Sequence, residues 1–495
     1  MKRRKCGRIR VEWGRCSLLP RIPGPTVQSL RGDTMASFHF VGIGGIGMSG
    51  AARILMARGI PVSGSDIGKS EVTEELSMKG ARIAIGHAAE NVPAETSRVV
   101  VTAAVDEKNP EIAEARRRSL PIVKYATLLG ELMRDRFGIA VAGCHGKSTT
   151  SAMTAFVLDR GGYDPSFVVG GVIPDLGGSS RGGKGEPFVA EACEHFRSFH
   201  NLYPHIAVVT NIEEDHLDYY RDIDEIIGSF GVFLSHVPPE GLVVINGEDG
   251  NCARAMKSAR CRVETFGFGP GMDWRAINLR VEDGRWKFDA LRHEALFGSF
   301  ELAIPGEHNV KNALAAIAVA HALEMPGDRI AGALATFRGV QRRMQWLVRG
   351  PVSVMDDYAH HPTEVRASLA ALRSICPDRR IVAIFQPHQY SRTRIFRDGF
   401  AHAFADADEV LIPGIYAARD SDEDRRAVCA QDLADDIRAA GTAARAFASF
   451  DDCVQALRDI PAPAVLLTMG AGDVFKIAGA MSLLVPQTDS GRVAV

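Results

Sequence analysis

The sequence predicts an α/β protein of three domains, on three observations. Its 495 residues exceed what one hydrophobic core organises, short β-rich runs alternate with amphipathic helical stretches from Phe38 onward, and two glycine-rich clusters each join a strand to a helix. Such alternation builds parallel sheets covered by helices on both faces, with ligands held at strand C-termini.

The composition, 46% hydrophobic and 24% charged, is close to the globular average, and no apolar run approaches the ~20 residues that span a bilayer. Lys and Arg number 58 against 60 Asp and Glu. A net charge of −2 gives no electrostatic footprint for nucleic acid or an anionic membrane, so neither is expected as a partner. A monomer and a homodimer both stay open. The 9 cysteines form no CxxC pair and no short-spaced metal pattern, which suits a reducing, cytoplasmic setting.

Residues 1–34 read as a disordered extension, or as a start codon placed too far upstream of Met35, because they are basic and carry the turn-rich Pro20-Arg21-Ile22-Pro23-Gly24-Pro25 without a signal-peptide pattern. The first domain is expected over 35–137, with strands over 38–43 and 99–102 and a helix over 127–136. The central domain, 138–348, opens with a strand over 137–142 and continues with strands over 187–193, 205–212 and 242–246. The alternation in Arg285-Trp286-Lys287-Phe288 predicts a small antiparallel insertion over 273–305. Helical periodicity returns over 309–323, and Gly350-Pro351 marks a boundary. The third domain, 349–484, has strands over 381–385, 409–413 and 464–469 and a helix over 363–374. Residues 485–495 form a polar tail expected to fray.

The first cluster is Gly42-Ile43-Gly44-Gly45-Ile46-Gly47, followed by Ser65 and Asp66. Taken literally it is a dinucleotide fingerprint. Its physics is more general, since the glycines let backbone approach a pyrophosphate and the helix N-terminus offers unpaired N–H groups. NAD(P), another nucleotide and a tight structural turn all satisfy it.

The second cluster is Gly143-Cys144-His145-Gly146-Lys147-Ser148-Thr149-Thr150. It departs from the usual P-loop, because Val141 stands where the first glycine of GxxxxGK[ST] belongs. A shortened loop still cradles phosphates through its N–H groups, with Lys147 reaching the β/γ oxygens and Ser148 or Thr149 meeting Mg²⁺. Glu191 at one strand end and Asp215-His216 after another complete a metal site. The carboxylate suits a hard cation better than the imidazole does.

Gly143 to Thr150 resembles the phosphate loop of the Mur ligases, a family of peptidoglycan precursor enzymes. Further strings keep that family's order over 36–484: Asn211-Ile212-Glu213-Glu214-Asp215-His216, Pro305-Gly306-Glu307-His308-Asn309 with Asn312, Gly339-Val340-Gln341-Arg342-Arg343, Asp356-Asp357-Tyr358-Ala359-His360-His361-Pro362, and Gln386-Pro387-His388 with Ser391-Arg392. The resemblance implies a Rossmann-like N-terminal domain, a P-loop ATPase-like central domain and a Rossmann-like C-terminal domain. It implies that the first glycine loop takes a UDP-sugar through Gly42, Gly44, Gly45, Gly47, Ser65 and Asp66, which demotes NAD(P).

ATP and Mg²⁺ follow from the same resemblance. Gly143, Cys144, His145, Gly146, Lys147, Ser148, Thr149, Asn309, Asn312, Arg343 and Asp357 would meet ATP, while Ser148, Thr149, Glu191 and His216 would hold the metal. Tyr358, His360, His388 and Arg392 would form the amino-acid side, and Lys147, Glu191, His216, His360 and Arg392 would carry the chemistry. Within the family, the strings resemble the branch that joins L-alanine to UDP-N-acetylmuramate through an acyl phosphate. A recycling branch that attaches a ready-made tripeptide is the nearest alternative. An NAD(P)-dependent oxidoreductase would explain the first loop but not Lys147.

Three positions depart from the family's pattern. Cys144 stands where Thr is common, Glu191-Ala192-Cys193-Glu194 replaces E-A-D-E, and Gln389 stands where many relatives carry Arg. Gln cannot form a charged pair with a substrate carboxylate, so that task falls on Arg392.

Overall fold

The computed structural model describes residues 36–102 and 105–485, so the extension expected over 1–34 and residues 486–495 of the tail lie outside the described residues. Three sheets of 5, 10 and 6 strands follow one another along the chain. The first is all parallel, with Phe38–Val41 at its centre between Val62–Asp66 and Arg98–Val101, and with Arg82–Ile85 and Ile122–Lys124 at the edges. Its central strand is buried at every position, as two-sided cover by helices requires. It stops at Val41, short of the expected 43, because Gly42 turns the chain at φ +81°.

In the second sheet, Phe137–Ala142 lies between the parallel strands Pro187–Glu191 and Ile206–Val209, and Leu242–Asn246 and Arg262–Gly267 follow outward. The stretch expected as an insertion, 273–305, is antiparallel: Trp274–Glu282, Arg285–Arg292 and Ala295–Leu302 pair in succession. It is not separate, since Phe266 pairs with Trp274 and carries the same sheet onward. The helix Lys147–Arg160 follows the strand Phe137–Ala142 and is buried from Ser148 to Leu158. It packs against Glu307–Ala322, whose alanines at 313, 315, 316, 318 and 320 allow close approach. A helix enclosed in this way holds its N-terminus, and so Lys147, in a fixed place.

The third sheet has five parallel strands, with Ala464–Met469 between Val352–Asp357 and Arg380–Phe385, and Glu409–Ile412 and Ala444–Ala446 beyond. Gln345–Val348 adds an antiparallel edge against Val352–Asp357. Gly350-Pro351, expected as a boundary, is therefore a hairpin turn inside this sheet, and 345–348 belong with the third unit.

The first and second units share one apolar cluster, in which Phe40, Leu55 and Leu128 meet Ala140, Phe188 and Val243. The third unit has a separate core.

Candidate active site

The phosphate-type loop is built by exclusion of side chains. Gly143 sits at φ +136°, and a Cβ there would stand 2.0 Å from Thr210 Oγ1. Gly146, at φ +79°, leaves room for Asn312, whose Oδ1 a Cβ would meet at 2.7 Å. Asn211 clamps the loop from both sides, accepting from the His145 N–H at 2.8 Å and donating to the His145 carbonyl at 3.0 Å. This explains why the strand expected over 205–212 spans only Ile206–Val209: Thr210 and Asn211 leave the ladder to hold the loop.

Lys147 Nζ donates to the carbonyls of Gly143 at 2.5 Å and Cys144 at 3.0 Å, and to Glu194 Oε1 at 3.0 Å. Burial opposes its charge, but the Glu194 carboxylate outweighs it and raises the pKa. The Cys144 thiol exchanges contacts with the Glu213 backbone at 3.2 and 3.3 Å and is pushed well up by burial, so it fills space.

Glu194, Asp215 and His216 bring ligand atoms within 4.8 Å of one another, with His216 Nε2 3.4 Å from Glu194 Oε1. Ser148 and Thr149 open the helix beside them and are buried. Glu191 stands outside that group, its carboxylate accepting from the Gly170 N–H at 2.6 Å. The acid that meets both Lys147 and His216 is Glu194, three residues on, to which the sequence reading gives no role.

Several buried polar atoms make no hydrogen bond here, including Thr150 Oγ1, Ser151 Oγ and Arg392 Nη1. Together with the hydroxyl, carboxylate and imidazole donors, they fit a site that receives a polyanion and a divalent cation.

A cavity of about 380 Å³ adjoins the loop. Of the residues expected to meet ATP, His145, Gly146, Thr149, Asn309, Asn312, Arg343 and Asp357 line it, while Gly143, Cys144, Lys147 and Ser148 do not. Asn309 and Asn312 are bonded to each other at 3.0 Å, and Asn309 donates to the Pro305 carbonyl at 2.6 Å. Burial pushes Asp357 up to about 6, partly offset by the Ser368 hydroxyl that donates to it.

The third unit lines part of this cavity, with Ala359, Thr363 and Glu364 among others, and meets the second unit through polar side chains. Arg392 Nη2 donates to Asp215 Oδ1 at 2.7 Å, with both side chains under one-tenth exposed. His145 lies between Glu213 of the second unit and Glu364 of the third, with Nδ1 3.0 Å from Glu364. The Thr363 hydroxyl donates to Glu213 at 3.0 Å. Burial opposes a charge on His145, but the two carboxylates win and raise its pKa to about 10.

Tyr358 lies between the guanidinium groups of Arg342 and Arg343, 5.1 and 4.9 Å from its ring centroid. His360 stands 5.3 Å from Tyr358 and 6.0 Å from His388, ring to ring. Burial and the nearby positive charges hold His388 down at about 4. Tyr358, His360 and His388 thus come together as expected. Arg392 is turned to Asp215, and the Gln389 amide donates to the Ala418 carbonyl at 3.0 Å.

At the first loop, Asp66 accepts from the Gly44 N–H at 2.8 Å and the buried Ser65 donates to Glu111 at 2.6 Å. Both brace the loop from within. No side chain caps the helix Ile46–Ala57 that the loop opens. Gly47 packs against the Tyr125 ring, and the Tyr125 phenol is pushed up by burial and by the charge of Glu191. Tyr125 therefore joins the first loop to the central site.

Three family models match the chain: Mur ligase family, catalytic domain, over 37–137; Mur ligase middle domain, over 141–320; and Mur ligase, glutamate ligase domain, over 342–472. Among curated proteins, UDP-N-acetylmuramate--L-alanine ligase of Geotalea uraniireducens is 44% identical over 89% of this chain and 96% of its own length. The protein of that name from Caldanaerobacter subterraneus is 42% identical over 89% and 95%.

Among solved structures, UDP-N-acetylmuramate-alanine ligase from Thermotoga maritima superposes with a TM-score of 0.75 at 30% identity, covering 90% of this chain and 97% of that one. A murein peptide ligase from Psychrobacter arcticus shares the fold, with a TM-score of 0.65 at 24% identity over 92% and 100%. Identity of this degree over about nine-tenths of the chain, with family models matched in all three units, establishes that the chain belongs to the Mur ligase family.

Proposed function

We propose that this chain joins L-alanine to the carboxylate of UDP-N-acetylmuramate, with ATP cleaved to ADP and phosphate, as a cytoplasmic step of peptidoglycan precursor synthesis. The observation that carries this reading is the meeting of the third unit with the phosphate loop and the acid beside it, Glu364 on His145 and Arg392 on Asp215. Amide formation from a carboxylate needs a phosphoryl donor and an amine at one water-poor centre.

Each group then has a place. The loop Gly42, Gly44, Gly45 and Gly47 receives the UDP diphosphate on the uncapped helix start, with Ser65 and Asp66 holding its shape. Gly143 to Thr149 cradle the ATP phosphates, Lys147 stabilises the transferring phosphoryl group, and Asn309, Asn312, Arg343 and Asp357 enclose the nucleotide. Ser148, Thr149, Glu191 and His216 would hold Mg²⁺ once Glu191 leaves the Gly170 N–H, and the carboxylate already beside His216 is Glu194. The ion would neutralise charge on the phosphate oxygens. Tyr358 and His388 shape the amino-acid pocket. The spare Nη1 donors of Arg392 would take the L-alanine carboxylate while Nη2 stays on Asp215.

The chemistry has two steps. A muramoyl carboxylate oxygen attacks the γ-phosphorus and ADP leaves, giving an acyl phosphate. The L-alanine ammonium gives one proton to His360, its nitrogen attacks the carbonyl carbon, the C–O bond to phosphate breaks, and the second proton departs with the phosphate.

The NAD(P) reading of the first loop is given up, since the first-domain family model covers it and Asp66 is bonded to Gly44 rather than open to a ribose. Phosphate release from ATP, measured with UDP-N-acetylmuramate and each of L-alanine, glycine, L-serine or the tripeptide, tests the proposal. Release should require UDP-N-acetylmuramate and be fastest with L-alanine. A preference for the tripeptide would move the chain to the recycling branch.

A further inference from the structure

We propose that Glu364 is a positioning residue that ties the phosphate loop to the amine side of the site, so that nucleotide on one prepares the other. This rests on the ligase reading above. One carboxylate spans both: Oε1 lies 3.0 Å from His145 Nδ1, and Oε2 accepts from the His360 N–H at 3.0 Å and lies 3.2 Å from His360 Nδ1. Arg343, which lines the nucleotide cavity, stands 3.9 Å from Oε1. No other carboxylate among the described residues is recorded in contact with both imidazoles.

The backbone holds Glu364 in this place. It is the third residue of the helix Pro362–Ile375, with Pro at the first position and the His361 ring accepting from the Thr363 N–H at 3.3 Å. A negative side chain is favoured in that first turn, and Pro362 restricts the approach of the chain. The side chain is only 12% exposed, so its contacts are shielded from solvent.

Two consequences follow for His360. Its Nδ1 faces two acceptors, the Tyr358 carbonyl at 3.0 Å and Glu364, so Nδ1 carries the proton and the Nε2 lone pair is left for the substrate ammonium. Glu364 fixes that tautomer and the ring's direction, as second partners of imidazoles commonly do. His145, shared between Glu213 and Glu364 in this structure, is with Lys147 one of the two cationic side chains of the phosphate loop. With a triphosphate bound, His145 turns its charge toward phosphate and Glu364 is left wholly to His360. Nucleotide binding thereby strengthens the hold on the group that receives the amine's proton.

The test is a linkage measurement: L-alanine affinity by calorimetry, in the presence of UDP-N-acetylmuramate, with and without a non-hydrolysable ATP analogue. In the native protein the analogue should tighten L-alanine binding within the roughly 5–150-fold range of site-to-site coupling. In E364Q, which keeps the shape and removes the charge, the factor should fall to near one, and KM for L-alanine should rise about tenfold or more while KM for ATP changes by less than about threefold. E364D, which keeps the charge on a shorter arm, should recover part of the coupling and decides the matter if E364Q does not fold. An E364Q or E364D protein with native coupling overturns the proposal. A native protein that binds no L-alanine in any of these conditions overturns the ligase reading itself, which is a different result.

Discussion

Lys147 and Glu194 form an ion pair with side chains 13% and 2% exposed, which gives the lysine a structural role beside the catalytic one proposed for it. Removing one partner of such a pair leaves an uncompensated charge, at a cost of about 3–5 kcal/mol. Lys147→Ala should therefore lower the melting temperature in addition to cutting turnover by the ~10²–10³ that loss of one electrostatic stabiliser brings. The double variant with Glu194→Gln should recover most of the stability and none of the turnover. Denaturation and phosphate release on the same preparations separate the two effects, and a double variant that regains activity would place the catalytic cation elsewhere.

At the scale of elements, the phosphate loop and the start of the helix Pro362–Ile375 close on each other through His145. The groups facing that imidazole are Glu213 and Glu364, with the His361 ring 4.7 Å away and Asp215 nearby. His145 has a raised pKa, so its contribution to closure is complete below the ordinary 6.5 and is lost as pH rises through about 10. Glu364 is held well below 4.5 by charges that overcome its burial, so its contribution is present above 4.5 and is lost only at still lower pH. Small-angle scattering should show a compact particle at neutral pH that expands above about pH 10. An unchanged radius would mean that the other contacts across the junction, Arg392 on Asp215 and Thr363 on Glu213, hold the closed form without the charge of His145.

The strands Phe137–Ala142, Leu242–Asn246 and Ala464–Met469 were legible because runs of buried β-branched and aliphatic residues bounded by turn residues have one reading. Gly350-Pro351 had two, a boundary or a hairpin, and only the pairing of Gln345–Val348 decides between them. Glu194 was missed for a similar reason. Glu191 ends one strand and Glu194 follows three residues on, and which one meets Lys147 depends on how the chain turns between them, which periodicity does not specify. Glu364 did carry a signal, Pro at the first and Glu at the third helical position, but that signal reads equally well as a plain helix start.

Over the whole molecule, two units share a core, and the third meets the second through ion pairs and hydrogen bonds with Ile375 packed at the edge of that unit's core, an arrangement that suits opening and closing. On the proposed function, closure would exclude water from a centre where the acyl phosphate would otherwise hydrolyse. Every assigned role depends on that acyl phosphate. It forms only if a carboxylate oxygen of UDP-N-acetylmuramate attacks the γ-phosphorus, and that oxygen must leave with the phosphate when the amine arrives. The decisive measurement is turnover with UDP-N-acetylmuramate labelled by heavy oxygen in its muramoyl carboxylate, followed by mass analysis of the released phosphate. Each phosphate released should carry one carboxylate oxygen. Unlabelled phosphate would contradict this, since the ATP would then have been cleaved without activating the carboxylate.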